Sequence, residues 1–110
     1  MENSESSESV CKRVISARKI QEKRFLSYNG IYANAQMNSK LIHQYVQLDN
    51  TGKELIKNAM ERLGLSARAY DRILKVARTI ADLENEKNVL THHLSEAIHY
   101  RSLDRENWGG

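Results

Sequence analysis

Arg68 stands in the first turn of a helix whose start the sequence marks clearly, in the run Leu63-Gly64-Leu65-Ser66-Ala67-Arg68-Ala69-Tyr70-Asp71-Arg72. A helix N-terminus carries unsatisfied N–H groups and partial positive charge, so a cation is unfavourable there unless an anion sits nearby. The chemistry open to such an arginine is phosphate binding, with the planar guanidinium fork and the helix start acting on one anion. The plainer reading is an arginine that is solvated, or paired with Asp71 or Glu61 in a surface bridge worth about 0–1 kcal/mol. Residue types alone leave these two readings level.

Other candidate constellations are weaker. Ser, His and Asp all occur, but none sits in a recognisable nucleophile turn, and no catalytic residue is assigned. Gly52-Lys53 has the ending of a phosphate loop, yet that motif needs a glycine five residues before Gly52 and Ser or Thr after the lysine. Gln47 and Glu54 stand at those positions, which rules the loop out. His92, Glu96 and His99 share a helix face at metal-ligand spacing, but no cysteine cluster and no closely spaced fourth ligand accompany them. No metal is expected. The two helices flanking Gly64, with Arg68, Arg72, Lys75 and Arg78 on the second, also fit loosely with a helix-turn-helix that reads DNA. The spacing of Arg68, Arg72 and Lys75 equally describes any solvated helix face, and the second helix is long and apolar for an element lying in a groove.

The elements that must position these residues are helical. Val10, Val14, Ala17, Gln21, Phe25 and Tyr28 form one face of a first helix ending near Asn29-Gly30. Ile31 to Ser39 reads as an irregular connector, followed by a short apolar helix with Leu41, Ile42, Tyr45 and Val46. Asp49-Asn50-Thr51-Gly52 caps the next helix, whose Leu55, Ile56, Ala59, Met60 and Leu63 lie on one face before Gly64 stops it. Ser66 caps the longest helix, which runs to about Glu86 with Ala67, Tyr70, Ile73, Leu74, Ala77, Ile80 and Ala81 as its stripe. Val76, Ala69 and Leu83 widen that stripe, so this helix is expected at the centre of the domain. Thr91 is the expected cap of a last helix with Leu94, Ala97 and Ile98, ending near Leu103.

Composition supports one all-α domain, a small bundle of four to five helices. The chain has 110 residues, no proline, 6% aromatic and 40% apolar residues, and a net charge of +3. The mild positive charge suits a nucleotide or nucleic-acid partner, although mixed charges at 28% also describe an ordinary surface. Cys11 is the single cysteine, so an internal disulfide is impossible and a reducing cytoplasmic setting is expected. No apolar run has the length of a membrane span, and the acidic, Ser-rich start is unlike a signal peptide, so no membrane partner is expected. Residues 1–9 read as a disordered tail, 10–39 as a linking helix and connector, 40–104 as the helical domain and 105–110 as a frayed end.

Around Arg68 the chain resembles the bacterial magnesium-chelatase-like AAA+ ATPases, specifically the C-terminal domain of the branch associated with competence and DNA processing. The resemblance is carried by the continuous run from Leu65 to Leu83, then by His93-Leu94-Ser95-Glu96-Ala97-Ile98 and Tyr100-Arg101-Ser102-Leu103-Asp104-Arg105. Looser agreement extends through Val14-Ile15-Ser16-Ala17-Arg18, Gln21, Arg24-Phe25 and Asn34-Ala35-Gln36-Met37. The resemblance implies an AAA+ lid that packs over nucleotide held by a preceding α/β core. It implies that Arg68 is the sensor-2 residue, contacting the terminal phosphate of ATP, with Ser66, Ala67 and Arg72 as supporting positions. The phosphate loop, acidic metal-binding strand and arginine finger of a whole AAA+ protein are missing, so a fragment or an isolated C-terminal domain is expected. ATP and Mg²⁺ are then cofactors of the full-length protein, and this chain alone binds neither tightly nor hydrolyses ATP. The implied partners are the core domain of the same protein, neighbouring subunits of a ring, expected to be hexameric, and DNA through the full assembly. The alternative function is a free-standing helical DNA-binding or protein-interaction domain.

Overall fold

Short polar side chains open the helices by satisfying amides that have no partner in the first turn. Ser6 accepts from the Ser9 amide at 3.1 Å, Asn38 from Leu41 at 2.9 Å, Asp49 from Gly52 at 2.7 Å and Ser66 from Ala69 at 3.3 Å. The caps lead into α1 (Ser7–Arg24), α2 (Ser39–Tyr45), α3 (Asn50–Leu63) and α4 (Ala67–Leu83), and α5 (Thr91–Asp104) is the last helix among the described residues. The computed structural model describes residues 6–104. Among them there is one further element, a single 3₁₀ turn at Asn34–Gln36, and no strand, so the architecture is the expected all-α bundle.

Gly64 ends α3 in the left-handed region, at φ 63° and ψ 43°, where an L side chain would be strained. Its amide and that of Leu65 both reach back to the Met60 carbonyl, and the chain reverses directly into the Ser66 cap. This tight reversal fixes where α4 begins, and with it the position of Arg68.

The core forms around α4, which packs against α1, α2, α5 and the 3₁₀ turn. Ile73, Leu74, Ala77 and Ala81 of α4 are almost fully buried with Leu94 and Ala97 of α5 and Ile56 and Ala59 of α3. Phe25 and Met37 join the same core from the stretch before α2, beside Leu41 and Ile42. Each large aliphatic side chain buried in this way contributes about 1.5–3 kcal/mol of transfer free energy. No described helix is long and apolar enough to cross a membrane.

Several boundaries differ from the sequence reading. α1 starts at Ser7 and ends at Arg24, short of Asn29-Gly30, because its last turn gives way to successive turns around Phe25. Val10 and Val14 are 39% and 37% exposed, so only Ala17, Gln21 and Phe25 of the expected stripe are buried. α4 stops at Leu83, three residues before Glu86, where Asn85 adopts a left-handed φ of 58°. Thr91 is already helical, and the Leu90 carbonyl accepts from the His93 and Leu94 amides, which places the cap at Leu90. Of the expected tail, Ser7 to Ser9 are helical and Met1 to Glu5 lie outside the described residues, as does the expected fraying at 105–110.

Candidate phosphate-sensing site and the buried ion network

Arg68 is the second residue of α4 and is exposed. Among the described residues its guanidinium has no hydrogen-bond or ion-pair partner. The bridges that would have made it an ordinary surface residue are not formed. Asp71 instead accepts the Ser39 hydroxyl at 2.7 Å, tying α4 to the start of α2, and Glu61 does not reach it. Ser66 uses its hydroxyl on the Ala69 amide and its carbonyl on Tyr70, leaving the amides of Ala67 and Arg68 without an acceptor among the described residues. A cation and two amides without an acceptor thus share the first turn of α4, a combination suited to a phosphate oxygen. Arg72 lies one turn further along, exposed, at the edge of an open groove of about 690 Å³ shared with Lys75, Val76 and Thr79.

The basic face expected for a DNA reader is smaller than its sequence suggests. Arg78 is 3% exposed, and Lys75 donates to the Ala35 carbonyl at 3.0 Å. Arg78 instead belongs to a buried network centred on Asp82, which sequence reasoning missed. Arg24 grips Asp82 with two bonds of 2.8 and 2.9 Å, and Arg78 approaches the same carboxylate at 3.1 Å. Asn34 donates to Asp82 at 2.9 Å and accepts from Arg24 at 2.8 Å, while its amide N–H is taken by Gln21 at 2.9 Å. Arg78 also donates to the carbonyls of Glu86 and Lys87 at 2.7 and 2.9 Å, clamping the turn between α4 and α5. Burial pushes the Arg78 guanidinium below its usual range, with Asp82 opposing that shift. The signal available in the sequence was the spacing of four between Arg78 and Asp82 beside the apolar stripe.

His92, Glu96 and His99 do not form a site, since the last two are exposed and away from other ligands. Glu84, at the end of α4, is brought beside His92 and His93 instead, with one ligand atom from each within 4.8 Å of the others. The hydrogen bonds argue against a metal there. His93 is fully buried and its Nδ1 accepts the Leu90 amide at 2.9 Å, so in the neutral ring Nε2 carries the proton and donates to Glu84 at 2.8 Å. A metal on His93 would need the Nε2 lone pair, and Glu84 with His92 alone fall short of a three-residue set. The cluster is a clasp that joins the end of α4 to the start of α5.

Hydrogen bonds from His92 and then His93 hold the Glu84 carboxyl below its usual range. A depressed carboxyl stabilises the fold above the ordinary carboxylate range, and that contribution is lost as pH falls through the depressed value. Glu84→Gln is expected to destabilise the chain at pH 7 by less than about 1 kcal/mol, because the side chain is 41% exposed and screened. Urea denaturation at pH 7 and pH 3 should show the gap to wild type closing at the lower pH; an equal gap at both would contradict this role.

Gly52, the glycine of the rejected phosphate loop, has a packing role. A Cβ there would sit 3.2 Å from the Asp49 carboxylate oxygen and 3.4 Å from the Leu48 Cβ, so the missing side chain leaves room for the cap that opens α3.

These features define a class: a helical bundle domain with a solvent-facing arginine in the first turn of its central helix and a buried ion network behind it. Residues 4–101 match the family described as the C-terminal part of magnesium chelatase subunit ChlI, and the chain belongs to that family. It is 42% identical over 101 residues to competence protein ComM of Haemophilus influenzae, covering 92% of this chain and 19% of that protein. It is 41% identical, with the same coverage, to the uncharacterised protein YifB of Escherichia coli K12 and to its namesake in Salmonella typhimurium LT2. The chain thus spans about one fifth of the length of these relatives, 19% in each case.

Proposed function

We propose that this chain is the C-terminal lid of a magnesium-chelatase-like AAA+ ATPase and that Arg68 is its sensor-2 residue. The observation that carries the reading is the exposed, unpartnered guanidinium of Arg68 beside two unsatisfied amides at the start of α4. The family supports it, and the resemblance to competence protein ComM favours DNA processing over metal insertion for the full-length protein. ATP with Mg²⁺ would supply the phosphoryl group and its charge neutralisation. Arg68 would bind the terminal phosphate, with the Ser66 cap fixing the helix start, the Ala67 amide adding a donor and Arg72 adding positive field from the next turn. Because α4 is the centre of the core, a pull on Arg68 is transmitted to the whole bundle, which couples phosphate contact to movement of the lid.

Alone, the chain holds one arm of the site. A single arginine and two amides do not replace a phosphate cradle and Mg²⁺, so ATP–Mg titrated into the 110-residue chain should leave its amide spectrum nearly unchanged at micromolar concentrations. Micromolar binding by the chain itself would refute this division of labour.

A further inference from the structure

The network around Asp82 carries more positive charge than negative. Arg24, Arg78 and Asp82 are withdrawn from water, with side-chain exposures of 11%, 4% and 1%, so two guanidiniums face one carboxylate. Buried charge without a counter-charge is costly, and the surrounding Asn34, Gln21 and carbonyl oxygens supply dipoles but no charge. The Nε of Arg78 is buried and has no acceptor. The imbalance is met by no described acidic side chain.

A cavity of about 340 Å³ adjoins the network, between the end of α2 and the turn that Arg78 clamps. Arg24 and Arg78 line it together with Lys87, Gln44, Gln47 and Asn88, and no carboxylate does. Lys87 is exposed, and its amine has no partner among the described residues. Tyr45 and Val89 complete the lining, so its charged and amide side chains are all groups able to donate hydrogen bonds to oxyanions. Three positive charges against the one negative of Asp82 leave an excess close to the charge of a phosphate monoester at pH 7.

We propose that this cavity binds a small oxyanion of the phosphate type, held by Arg24, Arg78 and Lys87 with Gln44, Gln47 and Asn88 donating around it. The site is separate from Arg68. Arg78 lies further along the same helix by about 15 Å, at 1.5 Å per residue, and on another side of it. An anion here joins α1, the end of α2 and the turn between α4 and α5, so its binding stiffens the bundle where Arg24 and Arg78 bring these elements together.

The test is a titration of the 110-residue chain with inorganic phosphate in a chloride buffer of constant ionic strength, read by melting temperature and by amide shifts of Lys87 and Asn88. Saturable binding below concentrations on the order of 10 mM is expected. Lys87→Met, which removes an exposed side chain and leaves the core untouched, should weaken it about threefold or more. Arg68→Ala should leave it unchanged. AMP is titrated in parallel: binding at the same amides supports a phosphomonoester as the source, and exclusion of AMP alone supports free phosphate. No saturation by phosphate, or binding that is lost in Arg68→Ala and kept in Lys87→Met, would overturn the proposal. The second of these outcomes would still be compatible with Arg68 as a phosphate sensor, so the two readings fail separately.

Discussion

Replacing Asp82 with asparagine is expected to destabilise the chain by about 3–5 kcal/mol, the range found when one partner of a buried pair is removed. Asp82 is 1% exposed and neutralises guanidiniums from two helices, Arg24 on α1 and Arg78 on α4. Asparagine keeps the shape but leaves both cations buried without a counter-charge, and it presents an NH₂ at one of the two positions where donors from Arg24, Arg78 and Asn34 need an acceptor. Against a typical total of about 5–15 kcal/mol, this loss puts the chain near unfolding at moderate temperature. Arg78→Met should cost less, about 1–3 kcal/mol, because Asp82 keeps its two bonds from Arg24 and the main loss is the clamp on the carbonyls of Glu86 and Lys87. Urea denaturation of both variants gives the order directly. An Asp82→Asn cost below about 1 kcal/mol would mean that water reaches the network and that its charges are already screened.

Where sequence and structure agree, the information is local. Asp49, Ser66 and Gly64 each act within a few residues of themselves, through a cap or a left-handed stop, so their positions could be read from neighbouring residue types alone. The apolar stripe of α4 was legible for the same reason, since helical periodicity is a property of one segment. The buried network depends on Arg24 and Asp82, which are 58 residues apart, and nothing local distinguishes Arg24 from the other cations of α1. Arg78 counted among the basic residues of a candidate DNA-reading helix because its partners include backbone carbonyls of a turn that local pattern does not place. Val10 and Val14 show the converse: helical spacing identifies an apolar face but not whether another element covers it.

The candidate site divides along the same line. The placement of Arg68 in the first turn of α4 could be read from Ser66 and Gly64. Its solitude could not, because Asp71 and Glu61 were equally good partners by spacing. The choice was made by α2, whose Ser39 hydroxyl takes the Asp71 carboxylate and removes the nearest competitor for the guanidinium. The first residue of α2 thus leaves Arg68 available to an anion, a link that joins the packing of the bundle to the proposed function. The His92–Glu84–His93 clasp was obscured in a similar way, since Glu84 comes from the preceding helix while Glu96 and His99 offered a regular but unoccupied pattern on α5.

In the full-length protein, Arg68→Ala is expected to lower ATP turnover by about ten- to a hundredfold. A hydrogen bond to a charged group contributes about 1.5–3 kcal/mol, and each 1.36 kcal/mol of lost transition-state stabilisation is a factor of ten in rate. The same substitution should not harm the fold. Arg68 is exposed and makes no described contact, alanine is the better helix former, and removing a cation from a helix start is favourable by about 0.3–1 kcal/mol. The melting temperature of the 110-residue chain should therefore stay level or rise while turnover falls, a pairing that a merely structural arginine would not produce. Arg68→Lys separates charge from shape. Lysine keeps the positive charge but loses the planar fork, so turnover restored to wild type by lysine would show that field alone suffices, and turnover held near the alanine level would show that the geometry of the guanidinium matters. Unchanged turnover in Arg68→Ala would remove the sensor assignment and leave the arginine as an unpaired surface cation.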